Sequence, residues 1–305
     1  MILFKKNNKK ATVILILAVL GLIIGVVTFL GMSALKKPSD LPQYIGEQQL
    51  AMLRTDVLLA DEQLFVREAA PYAASSAIFS MAQHGGFYEK PACGDTNGAP
   101  IWMRENATKF CLPVPTQAFE TYLNDALNVY LKPINRGGNS TFAIETTPTP
   151  TGMQITGKAR TLWKESVTIK EKRAPIGELG ANASFATEVA TDFGDYTLLG
   201  TEVKTMAKGI VSCQQSTGKS ANACVEEWLD VVNTGPFLTN KRITVHYDDC
   251  SLSSDDSLEK LRSHTGMVYV FCASKDDGRT FIAHDPSRGS IELRSLEYRF
   301  SIEFG

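Results

Sequence analysis

The stretch Ala11 to Leu35 reads ATVILILAVLGLIIGVVTFLGMSAL, a run of neutral and mostly aliphatic residues without a single charge. A helix crosses the hydrocarbon of a bilayer with roughly 20 such residues at about 1.5 Å rise each, so this run spans with some length left for tilt. Lipid offers no hydrogen bonds, and a helix satisfies its own backbone; a transmembrane helix is therefore the expected conformation. The flanks set its direction. Lys5, Lys6, Lys9 and Lys10 precede the run, whereas only Lys36 and Lys37 follow it. The bias of basic residues toward the cytoplasmic side makes residues 1–10 a cytoplasmic basic tail and residues 11–35 a single-pass anchor in the lipid bilayer. Everything after Pro38 then lies across the membrane. A cleaved secretory signal is the rival reading, but its apolar core is shorter, roughly 7–15 residues, and Gly31-Met32-Ser33 is only a passable cleavage site. Both readings export the bulk of the chain.

Charge narrows the range of partners. The chain has 31 basic and 33 acidic residues, for a formal net charge of -2. Four of the lysines precede the anchor, so the exported part is clearly acidic. It has no basic stripe, and nucleic acid is not expected as a partner.

All six cysteines lie in the exported part, at Cys93, Cys111, Cys213, Cys224, Cys250 and Cys272. An even count in an exported domain reads as a disulfide framework. The preferred pairing joins neighbours in sequence: 93 with 111, 213 with 224, and 250 with 272. No C-x-x-C occurs and the spacings do not suit zinc. Three N-x-S/T acceptors, at Asn106, Asn139 and Asn182, are usable only outside the cytoplasm and so fit the same topology.

Beyond the anchor, Pro38 and Pro42 separate the membrane helix from a juxtamembrane segment, residues 36–86. It reads as one long helix from Gln43 to about His84. Leu50, Leu53, Val57, Ala60 and Leu64 recur at alternating three- and four-residue steps and form one apolar stripe. Pro71 is expected to kink this helix, and Gly85-Gly86 to stop it. The stripe either packs on the domain or serves a protein partner or self-association through residues 43–84.

Residues 87–305 read as a disulfide-containing α+β ectodomain. Thr116 is taken as the cap of an amphipathic helix whose apolar face carries Phe119, Tyr122, Leu123, Ala126, Leu127, Tyr130 and Leu131. Strands are expected at 141–146, 153–159 and 162–170, the first two separated by Pro148 and Pro150. Two helices, one over 196–215 and one carrying Cys224 to Val232, form an αα-hairpin stapled by Cys213 and Cys224. The C-terminal part is an antiparallel sheet. In it, Val268–Ala273 and Thr280–His284 flank Asp277-Gly278, a dipeptide suited to a tight hairpin turn.

Catalytic motifs are missing: no G-x-S-x-G elbow, H-E-x-x-H helix, P-loop or dinucleotide fingerprint occurs. No cofactor is expected. Of His84, His246, His264 and His284, only His246 and His284, with Asp248, offer a set of ligands and proton carriers for a metal or acid–base site.

The run Tyr44-Ile45-Gly46-Glu47-Gln48-Gln49-Leu50 just after the anchor resembles exported proteins of small-genome archaea. So do the long helix ending in His84-Gly85-Gly86-Phe87, the Cys213/Cys224 helix pair and the closing Tyr298-Arg299-Phe300. That resemblance implies a single N-terminal anchor and export, and it assigns no activity. The layout is also similar to type IV pilin-like proteins, although no Glu sits five residues into the apolar run and no processing site precedes it. The leading expectation is a non-enzymatic envelope protein that binds or associates. Its rivals are an exported hydrolase, metal-assisted through His246, Asp248 and His284, and a pilin-like subunit.

Overall fold

The first helix, α1 (Leu41–Gln83), runs unbroken for 43 residues through Pro71. It belongs to a computed structural model that describes residues 41–96, 98–104, 108–136, 140–169, 175–191, 193–247, 267–285 and 290–304. The expected span at 11–35 and the basic tail lie outside these residues; among the described ones no helix is long and apolar enough to cross a membrane. The fold is mixed α+β, with this long N-terminal helix and several sheets. Its described residues divide into a smaller unit, within 41–57 and 165–179, and a larger one, within 58–164 and 180–304.

The face of α1 that periodicity selects is not the face it buries. Leu50, Leu53, Val57, Ala60 and Leu64 are all exposed, and the buried line is Ala51, Thr55, Leu59, Glu62, Val66, Ala70 and Ala73. Apolar length misleads here because the C-terminal half buries small side chains. Ala69, Ala70, Ala73, Ala74, Ala77 and Ala82 let neighbours approach the helix closely. Glu62 is tolerated inside because Arg136 meets it, Nη2 to Oε2 at 2.9 Å, and the same guanidinium stacks 5.1 Å from the Trp163 ring centre. The helix ends as expected. Gly86 N–H donates to Met81 O at 2.8 Å and Gly85 N–H to Ala82 O at 2.9 Å, a Schellman cap that needs φ of +55° and +84° at the two glycines.

In the larger unit the main sheet gathers short strands from both ends of the sequence. They are β1 (Asp95–Thr96), β2 (Ala99–Arg104), β3 (Lys109–Phe110), β9 (Ile243–Tyr247), β10 (Met267–Lys275) and β13 (Glu297–Phe304). The order is β1-β2-β13-β10-β9, with β3 also on β2. All pairings are antiparallel except β2 with β13, which is parallel. The expected hairpin across Asp277-Gly278 does not form. Both edges of β10 are occupied, by β9 and β13, so the strand after the turn, β11 (Phe281–Asp285), pairs instead with β12 (Ser290–Arg294) in a separate ribbon.

A second sheet, order β4-β5-β8, comprises β4 (Phe142–Thr149), β5 (Gly152–Ala159) and β8 (Ser184–Val189). Pro148 sits inside β4, opposite Met153, rather than between strands. β4 is an edge strand, where a missing N–H leaves no ladder bond broken. A two-stranded sheet of β6 (Trp163–Thr168) and β7 (Pro175–Ala181) completes the set.

Among the helices, α2 (Pro115–Tyr130) starts with Pro115 in its first turn and no side-chain cap, so Thr116 is not the cap. Its expected apolar face divides: Phe119, Leu123 and Leu127 are buried, whereas Tyr122, Ala126 and Tyr130 are only partly covered. The αα-hairpin forms from α3 (Gly194–Thr217) and α4 (Ala221–Thr234), with Ser220 Oγ accepting from Ala223 N–H as the cap of α4. A short helix, α5 (Pro236–Lys241), leads into β9.

This hairpin is fixed at two points. Cys213 is bonded to Cys224 at the tip, and a Cβ at Gly209 would intrude on the Trp228 ring. Gly209→Ala should therefore destabilise the fold by about 1–3 kcal/mol through overpacking. Cys213→Ser should lower stability by about 2–3 kcal/mol by releasing the closed loop. Urea titration of each purified variant checks both; a midpoint equal to wild type for Gly209→Ala would show that the helices separate without strain.

Candidate functional site

Two disulfides are in place, Cys93–Cys111 and Cys213–Cys224, the couples suggested by sequence spacing. Cys272 is disulfide-bonded as well, and Cys250, its expected partner, lies outside the described residues. Disulfides persist in oxidising compartments, so these bridges point to an extracytoplasmic location. Asn182 is exposed between β7 and β8; Asn106 and Asn139 lie outside the described residues.

The histidine set is not assembled by what is described. His246 is exposed on β9 of the main sheet, His284 belongs to the β11–β12 ribbon, and Asp248 and His264 lie outside the described residues. No group of three His, Cys, Asp or Glu side chains among the described residues is arranged to hold a metal. The tryptophans pack: Trp102 and Trp163 are buried, and Trp228 covers Gly209.

Two polar constellations were not visible in the sequence. In the first, the wholly buried Asp195 accepts from Lys275 Nζ at 2.6 Å and from the Tyr298 hydroxyl at 2.9 Å, both on Oδ2. Lys241 Nζ stands 3.8 Å from Oδ1, which has no hydrogen-bond partner. Burial pushes the Tyr196 and Tyr298 phenols well above their ordinary range, with Asp195 adding to both shifts. Neither phenol is a base near neutral pH. A carboxylate sealed from solvent and held on Oδ2 by a half-buried lysine and a buried phenol serves to bind elements together. It joins the start of α3 to β10 and β13.

The second constellation is open. α1 and α2 flank a groove of about 390 Å³ with an apolar floor that includes Ala77, Ala126 and Val129. Its rim is aromatic and carries one carboxylate. Tyr122 lies with its ring centre 5.7 Å from that of His84 and 5.0 Å from that of Tyr88, edge-on to the latter. The Tyr122 hydroxyl donates to Phe87 O at 2.9 Å, and the Tyr88 hydroxyl to Asp125 Oδ2 at 2.7 Å. His84 Nδ1 is 2.7 Å from Ser80 O, a distance that assigns the proton to Nδ1 in the neutral ring. Tyr130 also lines the groove, with its hydroxyl buried and unpartnered.

The Schellman cap is what places this rim. A Cβ on Gly85 would strike Arg299 O and Pro100, and one on Gly86 would lie 2.7 Å from Pro113 and 2.8 Å from Tyr196. Only glycines let the chain turn here, and the turn brings His84 and Tyr88 both into contact with the Tyr122 ring. The phenols remain protonated. Burial raises Tyr122 and Tyr130, and the hydrogen bond to Asp125 is the main cause of the rise at Tyr88.

No protein-family model matches the chain, and no curated protein or solved structure is significantly similar to it.

The buried pair makes a sharp forecast. Asp195→Ala should destabilise by about 3 kcal/mol, because Lys275 loses its 2.6 Å partner and keeps only Asp277 Oδ2, at 4.0 Å. Replacing both partners, Asp195→Leu with Lys275→Met, should recover part of that loss. Denaturant midpoints of the two variants test this, and a double variant no better than the single would show that the pair is not the source of the loss.

Proposed function

We propose that the chain is a membrane-anchored extracytoplasmic protein that acts by association, its contact face being the N-terminal half of α1 and the occupant a second copy. The observation that carries this reading is the exposure of large aliphatic side chains on that helix: Leu53 is 62% and Val57 58% exposed, with Leu50 and Leu64 similar. Soluble surfaces carry single exposed apolar residues without consequence, but a row at helical spacing calls for a cover. The row follows a 3-4-3-4 rhythm, which places Leu50, Val57 and Leu64 at one heptad position and Leu53 and Ala60 at the other. That is the seam of a coiled coil, whose partner is another helix of the same kind.

The apolar run at 11–35 supports a copy as the occupant. Chains anchored in one bilayer present their juxtamembrane helices parallel and in register. Confinement to that surface also raises the effective concentration of each helix for the next. The disulfides support export, and the layout resembles that of single-anchor exported proteins of small-genome archaea. The acidic exported part agrees with a role that involves no nucleic acid.

Light scattering of the full chain in a maltoside detergent tests the proposal. Wild type is expected as a dimer or higher oligomer, and Leu53→Asp with Val57→Asp should weaken association at least about tenfold, equivalent to about 1.4 kcal/mol. A wild-type chain that stays monomeric at micromolar concentration overturns it.

A further inference from the structure

The groove between α1 and α2 is built for a ligand chemistry that the association face does not explain. We propose that it binds an organic cation: an ammonium or guanidinium group carried on a small apolar body. Three features lead to this class. The floor is apolar, so it favours hydrocarbon over a hydrated ion. The lining carries the neutral aromatic rings of Tyr122 and Tyr130, and aromatic π-systems attract cations through their quadrupoles. Asp125 is the acid on that rim, and it makes no ion pair among the described residues. Its Oδ2 takes the Tyr88 hydroxyl and its Oδ1 remains for a donor.

The electrostatics exclude the alternatives. An anionic ligand would face Asp125 with no lysine or arginine lining the groove to answer it. A neutral apolar ligand would fill the floor but leave the carboxylate and the unpartnered Tyr130 hydroxyl unused. A bare metal ion would find one carboxylate and one imidazole, fewer donors than a held ion needs. A cation with an apolar body uses all of these groups: hydrocarbon on Ala77, Ala126 and Val129, the charge at Asp125 and the rings, and a donor or acceptor for Tyr130. With its proton on Nδ1, His84 presents Nε2 as an acceptor, which suits an N–H donor as well. The raised phenols stay neutral across the physiological range, so the cation is held by aromatic rings and the Asp125 carboxylate.

The test uses the full chain in maltoside, since phosphocholine detergents carry a quaternary ammonium that would compete. Calorimetric titration compares 2-phenylethylammonium with 2-phenylethanol, its neutral counterpart of similar shape, and with 3-phenylpropionate. The ammonium should bind at least about tenfold tighter than the alcohol, and the carboxylate should not bind. Asp125→Asn should remove the preference for ammonium over alcohol. Tyr88→Phe breaks the same hydrogen bond but keeps the charge, so it should retain the preference. The proposal is overturned if the ammonium fails to bind at millimolar concentration or binds no better than the alcohol. It is equally overturned if Asp125→Asn keeps the preference, or if both variants lose it together; the last result would assign the effect to the tyrosine–aspartate bond.

Discussion

The larger unit depends on one stack of rings. Trp102 of β2 lies face to face with Phe300 of β13 at 4.6 Å between ring centres, and Phe300 stacks in turn on Phe271 of β10 at 5.6 Å. The Trp102 indole N–H donates to Gly85 O at 3.1 Å, which ties the end of α1 to the same stack. Three strands and the longest helix thus converge on side chains that are wholly buried. A buried indole needs an acceptor, and the backbone that supplies it lies so close to Arg299 O and Pro100 that a Cβ there would clash. The glycine pair is therefore set by the sheet as much as by the helix it ends.

That junction has a second effect, on the outside. Because the chain must turn sharply at Gly85-Gly86, the residues flanking the pair meet α2 at the surface, with His84 and Tyr88 still exposed. His84, Phe87 and Tyr88 are held there by three local bonds, to Ser80, Tyr122 and Asp125. The groove is a by-product of closing the core.

Sequence reading reached the parts of the fold in which local chemistry and tertiary packing agree. The αα-hairpin is one: its apolar spacing, its turn and its two cysteines all lie within a few residues of each other. The length of α1 and its glycine stop are another. The reading failed where long-range competition decides. The aliphatic row on α1 outweighed the alanines in any periodic count, yet the alanines are what the larger unit buries. Asp277-Gly278 has the composition of a hairpin turn, but the strand before it already had two partners drawn from distant sequence. Asp195 looks like an ordinary acid in a first helical turn; Lys275, which makes it a core group, is 80 residues away. On α2 the residues of the groove were visible as an apolar face. Nothing in a single sequence distinguishes Phe119 and Leu123, which are sealed, from Tyr122 and Ala126, which are not.

The parallel pairing of β2 with β13 has a consequence for how the protein is made. Ser301 donates to Ala99 O from 202 positions further along the chain, inside the central part of the main sheet. Contacts so remote in sequence form late, since the intervening chain must first be brought into a closed loop. A polypeptide delivered from its N-terminal end would present β2, Trp102 and the end of α1 long before Phe300 arrives to cover them. During that interval the indole and its apolar neighbours stand open to water and to other nascent chains, a state in which aggregation competes with closure. Early bridging of Cys93 to Cys111, which brackets β2, would shorten the reach of that exposed segment while it waits for its partner strand.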